Sequence, residues 1–495
     1  MKLESLGKNI AKYCFYIFIV VYAVANIFFT VRQYNVGSNE AHYLFGITIE
    51  HIIIVGILLL ILFLYLHKAN FKINNKIFLI IFLIACVVLG LYWIFSNHPV
   101  LIEIDDAYNC YRAANLVGQG DYGPLGYKSY INTYPHNLSL VSYFMIFTRL
   151  FGDNATTAIR LVNLVFVLIG YYSLYKIGYE LFNNEDINTI TIFLMFLSMQ
   201  FVFYAFFVYG NVVSYASALF SVYFFIKYFK ENKLSYLIIS GISIIISVAI
   251  KNNSMIVLVA EIIYIIIHII DKKKWKLSIL VILVIIGQFI CTTGVTKFWE
   301  LRSGNDYSNK LPRLCWIAYG INYDPRHPGG YMNEFEVYHH ENGFVAEYTE
   351  QRAKEFIDGV LKNFKEKPYL IPRFYAQKFL VSFANPEYET FAQYRELPQT
   401  EFNESVISGD INDVLNEIWD ATSTIVSIGL LVYMIKHFKK ITLLELIGGV
   451  IVFGGFLFHL FWETKAIYLY QYYMYLLPYA ACGLYLLMKK NSEVD

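Results

Sequence analysis

The chain has 495 residues, of which 57% are hydrophobic and 16% are charged, and its formal net charge at pH 7 is +1. A soluble protein of this length could not bury so much apolar surface, whereas a polytopic membrane protein exposes it to lipid. The near-neutral charge provides no global field that would attract nucleic acid, and the six cysteines show neither zinc-type spacing nor a disulfide framework.

Apolar runs that are long enough, or nearly long enough, to cross a bilayer occur along most of the chain. They predict an α-helical polytopic membrane protein of about twelve transmembrane helices, with interfacial helices and a mixed extracytoplasmic domain. The first run begins near Lys12 without a small-residue cleavage site, which indicates a retained helix rather than a signal peptide. The runs are 13–31, 46–66, 77–95, 158–181, 187–207, 211–229, 234–250, 254–270, 277–295, 417–435, 441–461 and 467–488.

The lysines orient these helices, because cytoplasmic loops carry an excess of Lys and Arg. With both termini cytoplasmic, every lysine cluster falls on the cytoplasmic side of the membrane. The clusters are Lys2, Lys8 and Lys12; Lys68, Lys72 and Lys76; Lys227, Lys230 and Lys233; Lys272, Lys273, Lys274 and Lys276; Lys436, Lys439 and Lys440; and Lys489 and Lys490.

This topology divides the chain into five parts, of which the second and fourth are extracytoplasmic. The parts are N-terminal helices (1–95), a first outer loop (96–157), central helices (158–295), an outer domain (296–416) and C-terminal helices (417–495).

Two further helical patterns fall in the outer segments. Residues 135–151 begin at a proline and end at Gly152, and their length is marginal for a span, so we place them in the interface or as a shallow re-entrant helix. Residues 349–367 are typical of a helix in the outer domain. Cys110 and Cys315 both lie in outer segments, and whether they pair is left open.

An acidic pair, Asp105 and Asp106, stands at the head of the first outer loop. A carboxylate pair where the bilayer meets an outer loop is typical of the chemical centre of a membrane enzyme. The same pair could cap the helix that follows, whose dipole favours acidic residues in its first turn. That helix is predicted from apolar residues at helical spacing: Ala107, Cys110, Tyr111, Ala114 and Val117.

Several cations and polar residues lie on the same predicted side. Lys251 interrupts apolar sequence at AIKNNSM, where it either binds an anion or snorkels at a helix end. Arg160 opens a span from the outer side. The remaining candidates lie in the segment that leads into YPHNL and in the last outer connection: Lys128, Tyr134, His136, Glu463, Lys465, Tyr468 and Gln471. A satisfied interface histidine and a local Glu463–Lys465 ion pair are the structural alternatives.

The chain resembles the C-type membrane glycosyltransferase superfamily, near the bacterial relatives of protein O-mannosyltransferases. The resemblance covers most of the chain and is carried by the order of its motifs rather than by any one of them. These motifs are IDDAYNCYRAA, YPHNLSLVSYFMIFTRLFG, AIRLVNLVFVLIGYYSLYKIGYELF, IKNNSMIVLVA, WIAYGINYDPRHPGGYMNEFE and FWETKAIYLYQYYMYLLP.

The resemblance implies inverting sugar transfer on the outer face, from a polyprenyl-phosphate-linked donor to a hydroxyl of an extracytoplasmic acceptor. It implies that Asp105, the first acidic position, is the catalytic residue. An arginine expected before Tyr468 is replaced by Ile467, so Lys465 or Gln471 would take over that donor contact. The absence of a second acidic motif near Tyr209 argues against a metal-dependent branch, so we expect neither a metal nor another cofactor.

Transfer of this kind requires a carboxylate that accepts the acceptor proton and cations that stabilise the phosphate leaving group. The tyrosines after Glu463 fit either an aromatic belt or a stacking surface for sugar rings. Expected partners are the lipid-linked donor, the acceptor and membrane lipids, with a donor synthase and a flippase nearby. The alternatives are a transporter or flippase for lipid-linked glycans, and a polysaccharide polymerase or ligase.

Overall fold

The computed structural model describes residues 3–36, 39–67, 73–96, 105–325, 327–391 and 400–489. Within these ranges the chain is almost entirely helical, with one two-stranded sheet. The helices are α1 (Leu3–Phe28), α2 (Ile49–His67), α3 (Asn75–Ser96), α4 (Asp105–Gly118), α5 (Tyr130–Thr133), α6 (Leu138–Phe151), α7 (Ala155–Phe182), α8 (Glu185–Leu197), α9 (Gln200–Phe203), α10 (Asn211–Glu231), α11 (Leu234–Ile250), α12 (Met255–Lys272), α13 (Leu277–Phe289), α14 (Val295–Ser303), α15 (Leu314–Gly320), α16 (Glu334–Glu341), α17 (Ala346–Glu366), α18 (Leu370–Phe383), α19 (Glu401–Ser408), α20 (Asp410–His437), α21 (Ile447–Phe461) and α22 (Ala466–Met488). Short 3-10 turns join several of them, and a π-helical turn, Ile290–Gly294, links α13 to α14.

Within the described ranges, nine helices or helix groups are long and apolar enough to cross a membrane. A tenth is present if α8 and the following Gln200–Phe206, which are bent by 51° against each other, form one broken span. The two remaining predicted runs also fold as helices, but α11 has only 17 residues and α22 is rich in tyrosine. The structure therefore confirms a polytopic helical membrane protein, and the predicted number of twelve spans is not confirmed.

Helix α22 lies at the centre of the bundle, where it packs against α7, α8, α20 and α21. Almost all of its side chains from Ala466 to Leu484 are buried. Its closest neighbour is α20, because a Cβ atom at Gly483 would collide with the carbonyl oxygen of Gly429. Small residues that let backbones approach are the usual means of packing helices in lipid, where no hydrophobic force pulls them together.

A β-hairpin between α1 and α2 was not predicted. Strand β1 (Phe29–Val36) pairs antiparallel with β2 (Asn39–Gly46), and Arg32 of β1 forms ion pairs with Glu417 at 3.0 Å and Asp420 at 2.5 Å on α20. The sequence analysis assigned the start of β1 to the first span, because its apolar residues continue the pattern of α1. Pairing with β2 makes this segment a strand, and the long-range ion pairs of Arg32 place it beside α20.

The first outer loop forms the two helices that its patterns predict. Helix α4 buries Cys110, Ala114 and Val117 against α6, whereas Ala107 is buried in the main core and Tyr111 is half-buried. Helix α6 follows a 3-10 turn that begins at Pro135, and it ends at Gly152, whose φ of 52° only glycine adopts without strain. The interfacial or re-entrant position of residues 135–151 remains a prediction.

The segment predicted to be the outer domain contains the helix expected over 349–367, which the structure has at Ala346–Glu366. The described residues between 296 and 416 form helices and loops and contain no strand, so the mixed character expected of this domain has no support there. All six cysteines are free thiols, and no bridge joins Cys110 to Cys315. The five-part division of the chain remains a prediction.

The predicted topology is testable with cysteines placed one at a time at exposed positions. Gln119→Cys and Glu347→Cys should react with an impermeant thiol reagent on intact cells, because both lie in predicted outer segments. Lys273→Cys should react only after the cells are permeabilised. Protection of position 119 in intact cells, with labelling after permeabilisation, would overturn the model.

Candidate functional site

Two phenols face the carboxylate of Asp106 at the start of α4. The helix begins at Asp105, whose side chain lies outside the described part of the structure, and Asp106 is exposed in its first turn. The Tyr209 hydroxyl donates to Asp106 Oδ2 at 3.4 Å, and the Asp106 charge also acts on the Tyr130 hydroxyl. Burial and the Asp106 charge raise the pKa of both phenols, so both remain protonated donors.

Lys251 is the cation of this site. It ends α11, and its Nζ lies 3.7 Å from the ring centroid of Tyr209 and 5.4 Å from that of Tyr468. Burial lowers the pKa of Lys251 to about 8, and the charges of Asp106 and Glu463 oppose this shift. The Lys251 side chain is half-buried, and we call the region between its ammonium and the start of α4 the recess.

Tyr209 is placed by α7, which binds the backbone just before it. Arg160 Nε donates to the Phe206 carbonyl at 3.1 Å, and its guanidinium carbon lies 3.7 Å from the Phe206 ring centroid. Asn163 Nδ2 donates to the carbonyls of Ala205 and Phe207, each at 3.2 Å. Arg160 is only 2% exposed, so the structure places it behind the recess, where it supports the segment that carries Tyr209.

His136 and Tyr134 lie on another wall of the recess. The charges of Asp106 and Lys251 both act on His136, which is exposed. Its ring centroid lies 6.0 Å from that of Trp316 and 6.1 Å from that of the buried Tyr134. The structure therefore places His136 within the electrostatic influence of Asp106 and Lys251 and beside Trp316, and its predicted role in donor binding remains a prediction.

The last outer connection, residues 462–465 between α21 and α22, closes the recess. The Glu463 amide donates to the Trp316 carbonyl at 3.0 Å. The charges of Glu463 and Lys465 both act on Lys251 and on the Tyr468 hydroxyl. Thus three predicted residues of this cluster lie around Lys251.

Two of the predicted site residues lie elsewhere. Gln471 is buried in the bundle, where its Oε1 accepts from Ser254 at 3.4 Å. Lys128 is exposed, and its Nζ lies 5.5 Å from the Tyr127 ring and 5.9 Å from the Phe344 ring. No contact seen among the described residues joins Lys128 to Asp106 or Lys251.

The tyrosines that follow Tyr468 belong to the core. Tyr470, Tyr472, Tyr473 and Tyr475 are at most 3% exposed, so they form neither an aromatic belt nor a stacking surface for sugar rings. The local sequence could not show that these tyrosines are buried, because the central position of α22 depends on the helices that surround it.

The sequence analysis missed several residues that the structure places at the recess. Tyr209 and Tyr130 had no signal beyond their position in outer segments, and Trp316 and Trp462 stood out only within motifs quoted for the resemblance. Lys378, which binds three carbonyl groups behind the recess, had no signal at all.

Comparison with known proteins supports the resemblance. Residues 140–291 match the family model described as dolichyl-phosphate-mannose-protein mannosyltransferase. The match indicates a membrane glycosyltransferase of the C type. The matched segment of this glycosyltransferase contains Arg160, Tyr209 and Lys251, whereas the acidic pair and the last outer connection lie outside it. A search of the curated proteins found no match.

The Tyr209 hydroxyl should matter to turnover through Asp106. Tyr209→Phe removes the hydrogen bond but keeps the ring under Lys251, so sugar transfer should fall by about two- to ten-fold. Tyr171→Phe is the matched control, because its hydroxyl bonds a backbone carbonyl at 3.0 Å outside the recess. Equal turnover of the two variants would show that the Tyr209 hydroxyl does not contribute to the reaction.

Proposed function

We propose that this glycosyltransferase moves a sugar, with inversion, from a polyprenyl-phosphate-linked donor to a hydroxyl of an extracytoplasmic acceptor. The acceptor class is a cell-surface glycopolymer, a lipid or a protein. The observation that supports the proposal most is the recess in which Lys251 faces the acidic start of α4. Both termini would then be cytoplasmic, and a donor synthase and a flippase would supply the donor to the outer face.

The Lys251 ammonium is suited to bind the donor phosphate. Its described contacts are with the Tyr209 and Tyr468 rings and with the charge of Asp106, and its Nζ has three hydrogen-bond donors. A phosphate placed there would exchange weak ring contacts for charge-assisted hydrogen bonds. His136, Glu463, Lys465 and Tyr468 surround this position and would contact the donor.

The acidic pair would supply the proton acceptor. The acceptor oxygen attacks the anomeric carbon, the bond from that carbon to the phosphate oxygen breaks, and its electron pair leaves with the phosphate. The acceptor proton goes to a carboxylate, for which we propose Asp105, as the resemblance implies. Asp106, which accepts a hydrogen bond from Tyr209, would orient the acceptor.

No further catalyst is needed in this proposal. The phosphate leaves readily without a general acid, and the charge that develops on it is stabilised by Lys251. We therefore propose a reaction that depends on neither a metal nor another cofactor.

Asparagine variants of the acidic pair separate the base from the orienting residue. Asp105→Asn should lower turnover by about 10²- to 10⁴-fold, the usual effect of losing a general base, with normal expression. Asp106→Asn should lower it less. Sugar transfer from labelled polyprenyl-phosphate mannose to membrane-fraction acceptors measures both, at matched protein levels.

The two variants also test the capping alternative. Asn caps a helix about as well as Asp does, so a pair that only caps would leave both variants fully active. That result would remove the acidic pair from the reaction. A loss confined to Asp106→Asn would exchange the two roles.

Lys251 should set the affinity for the donor and its pH dependence. Lys251→Met should weaken donor use by roughly ten- to a hundred-fold, the effect of losing a charge-assisted hydrogen bond. In the unmodified protein the pKa of Lys251 is lowered to about 8. The ammonium is therefore charged below that pH, and the KM for the donor should rise as the pH increases through it.

Lys251→Arg provides the check, because arginine stays charged across this range and should remove the rise in KM. Lys128→Met is the matched control, since Lys128 is exposed and remote from the recess. If Lys251→Met uses the donor as well as the control does, Lys251 does not bind the donor and only ends α11.

A further inference from the structure

We infer that Lys378, a buried lysine of α18, is a positioning residue that holds the last outer connection in place beside Lys251. That Lys378 holds this connection in place does not depend on the proposed function. The effect of Lys378 on donor use does rest on the proposed function. Lys378 is 3% exposed and lies behind the recess rather than in it.

The Lys378 ammonium makes three hydrogen bonds to carbonyl oxygens from two different elements. Its Nζ donates to Gly320 at the end of α15 at 2.6 Å, and to Leu460 and Trp462 at the end of α21 at 3.1 Å and 2.9 Å. An ammonium has three donors, so all three are used. The carbonyls at a helix C-terminus lack intrahelical partners and carry partial negative charge, which a cation satisfies.

Two glycines make room for this arrangement. A Cβ atom at Gly320 would overlap the Phe461 carbonyl, so only glycine lets the ends of α15 and α21 meet. A Cβ atom at Gly329 would lie 2.5 Å from Cε of Lys378, and Gly329 has a φ of +74°. The Gly329 carbonyl accepts from the Thr464 amide at 3.0 Å, which ties the connection to the same point.

The connection held in this way carries charges that act on the recess. Glu463 and Lys465 both act on Lys251, and the Glu463 charge also acts on Lys378. The ring centroid of Trp462 lies 6.2 Å from that of Trp316, with 13° between the ring planes, and 5.1 Å from that of Phe458, with 28° between the planes. Trp462 therefore contacts aromatic rings of both α15 and α21, which joins the connection to these two helices.

The position of the connection can be measured without any substrate. Thr464 is 2% exposed, so a cysteine at this position should react slowly with a maleimide in the purified protein. Adding Lys378→Met should raise the labelling rate by about ten- to a hundred-fold, because a charge-assisted clamp is lost. Peptide mass spectrometry reads each cysteine separately, and native Cys482, buried in α22, reports global unfolding.

Ser382→Ala is the matched control, because Ser382 is buried on the same helix but bonds only the backbone of α18. It should leave Thr464→Cys protected. If Lys378→Met also exposes Cys482, Lys378→Gln replaces it, since glutamine keeps a buried hydrogen-bond donor but loses the charge. Unchanged labelling of Thr464→Cys in a folded variant would overturn the inference.

Donor use completes the test. Lys378→Met should raise the KM for polyprenyl-phosphate mannose by several-fold more than Ser382→Ala does, because Glu463 and Lys465 move relative to Lys251. Faster labelling with an unchanged KM would make Lys378 a structural residue only. Because the labelling needs no donor, a failure of the proposed function would leave that measurement valid.

Discussion

The recess depends on side chains that donate hydrogen bonds to backbone carbonyl groups. Helices that break or end inside this largely apolar molecule leave those carbonyl groups without backbone partners. An unsatisfied polar group costs several kcal/mol in lipid, by an order-of-magnitude estimate, so irregular backbone survives there only when side chains bind it. Arg160 and Asn163 bind the carbonyls of 205–207 where the second half of a bent helix pair ends. Lys378 does the same at the end of α21.

This constraint separates the cations by role. Arg160 and Lys378 are buried and donate to backbone carbonyls, which helps to hold the fold. Lys251 differs, since its half-buried ammonium lies over two tyrosine rings near Asp106. A cation over an aromatic face gains about 0.5–2 kcal/mol, which an anionic ligand can replace with stronger hydrogen bonds. Of these three, Lys251 is the cation to which we assign an anionic ligand in the proposed function.

Sequence was informative where the physical signal is local. Apolar runs predicted the helices, the spacing from Ala107 to Val117 predicted the buried face of α4, and Gly152 predicted the end of α6. The hairpin after α1, the bend before Tyr209 and the burial of the tyrosines in α22 all depend on residues far away in the chain. The same holds for the site, because AIKNNSM marks Lys251 as unusual, but nothing near Arg160 or Lys378 reveals which carbonyls they bind.

The residues around the recess fall into two groups, one inside the segment that matches the family and one outside it. The matched segment, 140–291, contains Lys251, Tyr209 and the Arg160 support beneath it, which together form the wall suited to a phosphate. The facing wall comes from Trp316 and from the last outer connection, which Lys378 fixes from behind. The matched part thus contains the cation that the proposed function assigns to the donor phosphate. The wall built outside the match is then where the sugar and acceptor would be distinguished.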